Sequence, residues 1–311
     1  MTDAQSHIQS HWTSRIPVPL AAMGVLFSSI GFGLVPYFSR GLTDDGLAPH
    51  AVAFYRFALA AVFLLPLVLR NLTQWREICW GLATGVAMGV GWIGFATALK
   101  TAPASTLGVI YMTYPVFTVL LSWVLFSDPP TRRALFACGL IFLAAFVAAG
   151  PGAVAAEHIP ALLLALFAPI GFGFSICALV HRIARLEPLA RIASVALGAV
   201  LGLAPLMLSS APAEVLPKDR ETWVLIVGIA TVSALVPQLI YTICSPIIGA
   251  SRSAVFGSIE LPTMFAVAVF AFGEALTWQQ VAGCVLILSA ILLVQSRATR
   301  NVANTMTKPE R

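Results

Sequence analysis

The sequence predicts an all-α membrane protein of ten transmembrane helices, arranged as two inverted five-helix repeats. Three observations carry that reading. Hydrophobic residues make up 59% of the 311 positions and charged residues only 10%, with a mean hydropathy of +0.91. Soluble globular chains carry about 25% charged residues, and nothing soluble of this size could hide so much apolar surface. Ten apolar segments approach the roughly 20 residues that a helix needs to cross about 30 Å of hydrocarbon. The second half of the chain also echoes the first.

The ten segments are 17–38, 51–69, 78–99, 104–127 and 134–150, then 159–180, 192–208, 222–244, 253–273 and 278–296. Short connections such as Ser127-Asp128-Pro129-Pro130 separate them, and strict alternation over the roughly 10 residues of a barrel strand is absent. The chain therefore divides into a polar tail at 1–16, repeats at 17–150 and 159–296, and a second tail at 297–311. No cleavable signal is expected, because the first sixteen residues are polar and the run from Pro17 is too long for a signal core. Basic residues in short loops set orientation. They fall 13 on the side of both termini and 4 on the other, with Arg56 inside a span. Both termini are expected in the cytoplasm.

The echo is clearest between 104–131 and 250–277. At a shift of 146 positions, Ala104, Ser105, Val109, Phe126 and Thr131 meet identical residues, and Asp128 meets Glu274. The mid-helix prolines Pro115 and Pro262 fall one position apart in that register. In the first span, 26–33 recurs at 166–173 with six of eight positions identical. Spans one to five thus correspond to six to ten. Five is odd, so the second copy enters the membrane from the opposite face. Inverted repeats with helices interrupted at matching depth point to a transporter whose site lies between the repeats.

These residues resemble a known family. The segment Phe54-Tyr55-Arg56-Phe57-Ala58, the stretch Ala98–Ser105 and the pairs Pro115…Asp128 and Glu260…Glu274 are similar to the drug/metabolite transporter superfamily, in its EamA-type branch. The resemblance runs from about Pro17 to Ser296 and implies a ten-helix exporter. Its aromatic content is similar to that of the aromatic amino acid exporters of that branch. The sequence departs from the family in one place: an acid usually precedes the fourth-span proline, and here that position is Tyr114. The ninth span keeps its acid, Glu260.

Glu260 is the carboxylate farthest from a loop, and at such depth an acid is expected to face a cavity or a partner. It is read as a proton site or an anchor for a solute ammonium, with capping of the backbone freed by Pro262 as the structural alternative. Arg56 can snorkel to the headgroups, or pair with a solute carboxylate or with Glu260. Trp92, Phe95, Tyr111, Tyr114, Gln238 and Tyr241 gather near the breaks and suit a solute with an apolar body and a charged end. Pro115, Pro237 and Pro262 each remove a backbone donor and are read as hinge or gate positions, joined by Gly31 and Gly171. The stripes Gly81, Gly85, Gly89 and Gly198, Gly202 are read as helix-packing seams.

Other classes are set aside. The scattered basic residues do not form a nucleic-acid stripe. The five cysteines occur singly and the histidines lack HExxH spacing, so no metal site and no cofactor are expected. A phosphate-binding GxxxxGK[ST] loop is absent, so energy must come from an ion gradient or from the solute's own, by coupling through Glu260 or by facilitated diffusion. An intramembrane lipid enzyme would be expected to show clustered acids or a His pair, and only Asp44-Asp45 is adjacent. The expected partners are a small solute and the bilayer of a bacterial inner membrane. The expected function is export of small amphipathic metabolites, aromatic or neutral amino acids first, by alternating access. A multidrug or cationic-compound exporter is the competing reading, and no enzymatic activity is expected.

Overall fold

A computed structural model describes residues 16–130, 132–153, 159–248, 253 and 256–289. Among them every regular element is a helix. Seven helices are long and apolar enough to cross a membrane: Val18–Asp44, Pro49–Arg70, Leu72–Ala98, Ala104–Phe126, Ile159–His181, Pro188–Ser209 and Arg220–Ile248. Three shorter apolar helices, Ala134–Val147, Glu260–Phe272 and Trp278–Ser289, fall on the predicted fifth, ninth and tenth segments. Large side chains such as Phe146, Leu208 and Phe270 are 80%, 87% and 88% exposed. Exposure of that extent suits hydrocarbon and not water. The chain is a multi-pass membrane protein.

Several helices outrun their apolar segments because backbone hydrogen bonding continues into the interface. The seventh span starts at Pro188, four residues before its apolar run, since a proline in the first turn loses no helical hydrogen bond. There the Arg191 guanidinium satisfies two loop carbonyls, donating from Nε to Leu186 at 2.7 Å and from Nη2 to Ala184 at 2.5 Å. The eighth span starts at Arg220 because Asp219 caps it: the Thr222 amide donates to Asp219 Oδ1 at 2.8 Å, and so does the Thr222 hydroxyl. The Thr222 amide, then its hydroxyl, hold the Asp219 carboxyl below the usual carboxylate range. A lowered value means that the cap contributes in full above the unfolded value of about 4 and is lost as pH falls through the folded one. Asp219→Ala is accordingly expected to lower the melting temperature at neutral pH and Asp219→Asn to do so less. Equal melting of all three proteins would exclude the cap.

Four spans are interrupted. The first breaks at Leu34, between helices Val18–Gly33 and Val35–Asp44. Its repeat partner, the sixth, breaks at Leu166, between Ile159–Ala165 and Phe167–His181. The fourth breaks between Ala104–Tyr111 and Tyr114–Phe126, and the last helix of the ninth begins at Glu260. Pro115 and Pro262 lie in the first turn of those second halves, where their missing N–H groups leave no helical bond unmade. In the eighth span a π segment, Thr231–Leu235, precedes Pro237.

Packing crosses between the halves. The first span packs on the eighth and ninth, and the sixth packs on the third and fourth. The second and seventh spans pack on each other at the centre. Each half thus lends its first helix to the other half, as a pseudo-twofold arrangement requires. The third and seventh spans meet through the glycine stripes. At Gly85 an added Cβ would overlap the Val195 carbonyl oxygen and lie 2.6 Å from the Ala199 nitrogen. The predicted seams are therefore the closest helix contact of this interface.

Candidate functional site

The centre of the bundle holds a cluster of rings drawn from three spans. Trp92 and Phe95 share a face of the third span at 5.3 Å between centroids, and Tyr111 lies 5.6 Å from Trp92. Tyr111 and Tyr114 face each other across the break of the fourth span at 6.0 Å. Phe172, from the sixth span, completes the wall, edge-on to Tyr114 at 4.8 Å and 5.8 Å from Tyr111. Trp92, Phe95 and Tyr111 are buried, whereas Tyr114 and Phe172 are half-buried and form the accessible edge.

Arg56 enters this cluster from the second span. Its guanidinium carbon stands 4.0 Å from the Trp92 ring centre, a cation–π contact worth about 2 kcal/mol when desolvated. The residue is 8% exposed, and its Nε and Nη1 are buried without a hydrogen-bond partner. The side chain does not snorkel outward. Leaving such donors unpaired costs about 1–3 kcal/mol or more for a charged group, so Nε and Nη1 are placed to donate to a hydrogen-bond partner.

Glu260 starts the last helix of the ninth span, and its electrostatic neighbours are Arg56, Tyr111, Tyr114 and Tyr241. Among the described residues no hydrogen bond or ion pair joins its carboxylate to Arg56. Tyr241 lies 6.2 Å from Phe32, the repeat counterpart of Phe172. Gln238 is half-buried one turn before Tyr241, apart from the ring wall. Gly31 and Gly171 lie in the seams, against Pro237 and Ala87 respectively, not at the breaks themselves. An open apolar cleft of about 410 Å³ between the ninth and tenth spans is lined by Pro262, Phe265 and Leu276 and by neither Arg56 nor the ring cluster.

One end of the bundle is fastened by residues whose roles the sequence did not announce. Glu274 Oε1 accepts from the Ala104 amide at 2.8 Å and from Arg40 Nη1 at 3.2 Å. Its Oε2 accepts from the Ser105 amide at 3.2 Å and the Ser105 hydroxyl at 2.9 Å. Gln280 donates onward to Ser105 Oγ at 3.0 Å and Thr106 Oγ1 at 3.1 Å. A carboxylate capping a helix start meets its positive dipole end, so this junction is held by charge on both sides.

A helical bundle of two crossed repeats, with a polar pair enclosed by rings at its centre, defines a membrane transporter. The family model for EamA-like transporters matches residues 19–150 and 159–296, so the chain belongs to the EamA-like transporter family. Two relatives from Archaeoglobus fulgidus, each described as an uncharacterized transporter, are similar to it. One is 26% identical over 260 residues, covering 81% of this chain and 79% of the relative. The other is 27% identical over 120 residues, and there the chain covers 42% of the relative's length. A solved crystal structure matches with a TM-score of 0.57 at 18% identity, covering 91% of this chain and 98% of that one, which speaks for the fold alone.

Proposed function

We propose that the protein is a secondary carrier crossing a bacterial inner membrane ten times, with both termini cytoplasmic, that exports aromatic or neutral amino acids by alternating access. One observation carries the solute class: a buried guanidinium, stacked on Trp92, with Nε and Nη1 unpartnered. A carboxylate is the acceptor such donors favour, because a charge-assisted bond from a guanidinium is about twice as strong as a neutral one. The half-buried edge of Tyr114 and Phe172 offers contact to an apolar side chain, and Glu260 offers the countercharge to an ammonium. The three features together describe a zwitterion with an apolar body. The competing reading, export of cationic compounds, draws on Glu260 among aromatic rings, but the Arg56 charge opposes a solute that is cationic only.

Counterflow into proteoliposomes, with L-phenylalanine, 2-phenylethylamine, uridine and tetraethylammonium as trial solutes, tests the proposal. L-phenylalanine is expected to exchange best. Glu260→Gln is expected to slow that exchange by about tenfold or more, the weight of one hydrogen bond to a charged group. Preference for tetraethylammonium would transfer the assignment to a cation exporter.

A further inference from the structure

The two acids that the repeat pairs, Glu274 and Asp128, sit in matching constellations. Each follows a phenylalanine and one left-handed residue at the end of a broken span: Phe272, Gly273 with φ 64° and Glu274, against Phe126, Ser127 with φ 55° and Asp128. In both the reversal turns the acid's amide back onto the helix, Glu274 to Ala268 at 2.9 Å and Asp128 to Ser122 at 3.3 Å. In both a basic side chain from the first-type span covers the phenylalanine and reaches the acid. Arg40 stands 4.5 Å above the Phe272 ring and 3.2 Å from Glu274. His181 stacks on Phe126 with centroids 4.6 Å apart and planes 10° apart, its Nε2 3.9 Å from Asp128. His181 is one position off the 140-residue register of Arg40, at the end of the corresponding helix.

The constellations differ in two respects. The Glu274 side chain is 13% exposed and takes four hydrogen bonds, whereas Asp128 is 62% exposed and takes one described side-chain bond, from Ser122 Oγ at 3.2 Å. The sequence counterparts of Ala104 and Ser105 are Ala250 and Ser251, which lie outside the described residues. The second difference is chemical. Arginine keeps its charge at every physiological pH, whereas histidine ordinarily changes charge near pH 6.5.

We propose that these are the paired gates of the transport cycle, at opposite ends of the solute chamber, and that the Asp128–His181 gate is a proton site that closes when His181 is protonated. The inference rests on the carrier reading above. The hydrogen-bond chain supports it. Ser122 has one hydroxyl hydrogen, and where it goes to Asp128, the 3.0 Å contact with His181 Nε2 requires that nitrogen to donate. An imidazolium, with hydrogen on both nitrogens, holds that chain and adds attraction to Asp128. A neutral ring loses the attraction and, in its other tautomer, takes the Ser122 hydrogen away from Asp128. The remaining charged groups of the adjoining cavity of about 320 Å³ are Glu77, which favours the proton, and Arg76, Arg182 and Arg185, which oppose it. Arg182 also stands over Phe126, at 5.5 Å, but it keeps its charge at every pH, so the pH-dependent part is the His181–Asp128 attraction: acid on that face closes the gate and alkali frees it.

Cys177 is a native reporter of this gate. It lies one helical turn inward of His181, 2% exposed, its thiol donating to the Thr118 carbonyl at 3.1 Å. In full-length protein with the other four cysteines replaced by alanine, maleimide labelling of Cys177 is compared for His181, His181→Arg and His181→Gln at about pH 6 and pH 8, either side of the ordinary histidine value. Rates are taken relative to His181→Gln at the same pH, so ionisation of the thiol cancels. His181→Arg is expected to protect about two- to fivefold at both pH values, the range a partly exposed ion pair provides. The native histidine is expected to protect as much at pH 6 and not at pH 8. Asp128→Asn is expected to erase every difference. Equal labelling of the three proteins at both pH values, or protection that survives Asp128→Asn, would overturn the proposal. If the alanine background fails to fold, hydrogen exchange of the 118–126 amides in protein with native cysteines gives the same comparison. Neither measurement uses a solute, so failure of the solute screen leaves this test standing, and the reverse.

Discussion

Arg56→Gln is expected to reduce L-phenylalanine counterflow by about two orders of magnitude or more while leaving the protein inserted and monodisperse. The figure follows from what truncating one partner of a buried, hydrogen-bonded charge pair costs, about 2–5 kcal/mol, with each 1.4 kcal/mol a factor of ten. Arg56 stacks on the Trp92 ring and holds Nε and Nη1 buried and unpartnered, so the stack and these donors both belong to the planar guanidinium. Arg56→Lys keeps the charge but has neither the plane nor the paired donors, and it is expected to restore little. The substitution leaves the Glu260 carboxylate and the rings in place, so 2-phenylethylamine, which lacks a carboxylate, is expected to gain relative to L-phenylalanine. That inversion separates loss of a solute contact from general damage. Wild-type exchange by Arg56→Lys would show that only charge at this position counts.

Much of the fold was legible because a bilayer imposes one length on every crossing and the duplication repeats its marks. The prolines Pro115 and Pro262 pointed to the breaks, and the half-helices begin beside them, at Tyr114 and Glu260. Helix ends were legible only to within about two turns, since caps such as Asp219 act outside the apolar run. The π segment at Thr231–Leu235, which packs on the first and second spans, leaves no periodic signature in the sequence.

Of the site, the rings of the third and fourth spans were legible from their spacing, while Phe172 was passed over. A signal existed: Phe172 sits in the echoed stretch 166–173, two residues from Ile170 and opposite Phe32 in the other copy. For Arg56 the sequence left snorkelling and inward pairing open, and only the position of Trp92 on a neighbouring helix decides between them. Glu274 and Arg40, 234 positions apart, were beyond any local pattern. The echo had already matched Asp128 to Glu274, but that each acid faces a basic side chain stacked on a phenylalanine is a tertiary fact.

The seam between the third and seventh spans is where substitution is expected to cost most in stability. Gly85→Val places two methyl groups where even a Cβ would overlap the Val195 carbonyl oxygen and crowd the Ala199 and Gly198 backbones. Those atoms belong to a helix that also packs on the second span, so relief requires moving a whole helix and not a side chain. Overpacking of cores costs about 1–3 kcal/mol where side chains can yield, and about 3 kcal/mol or more is expected here because backbone cannot. In a bilayer no hydrophobic gain offsets the separation, since lipid tails solvate the parted faces as well as the partner helix did. Gly139 supplies the control. An added Cβ there meets nothing within 4 Å, and Gly139→Ala is expected to leave the melting temperature unchanged or slightly raised, as alanine favours helix over glycine by about 1 kcal/mol. Thermal melts in detergent followed by size exclusion decide the matter: a Gly85→Val protein as stable as Gly139→Ala would mean that the two spans do not meet as closely as this seam requires.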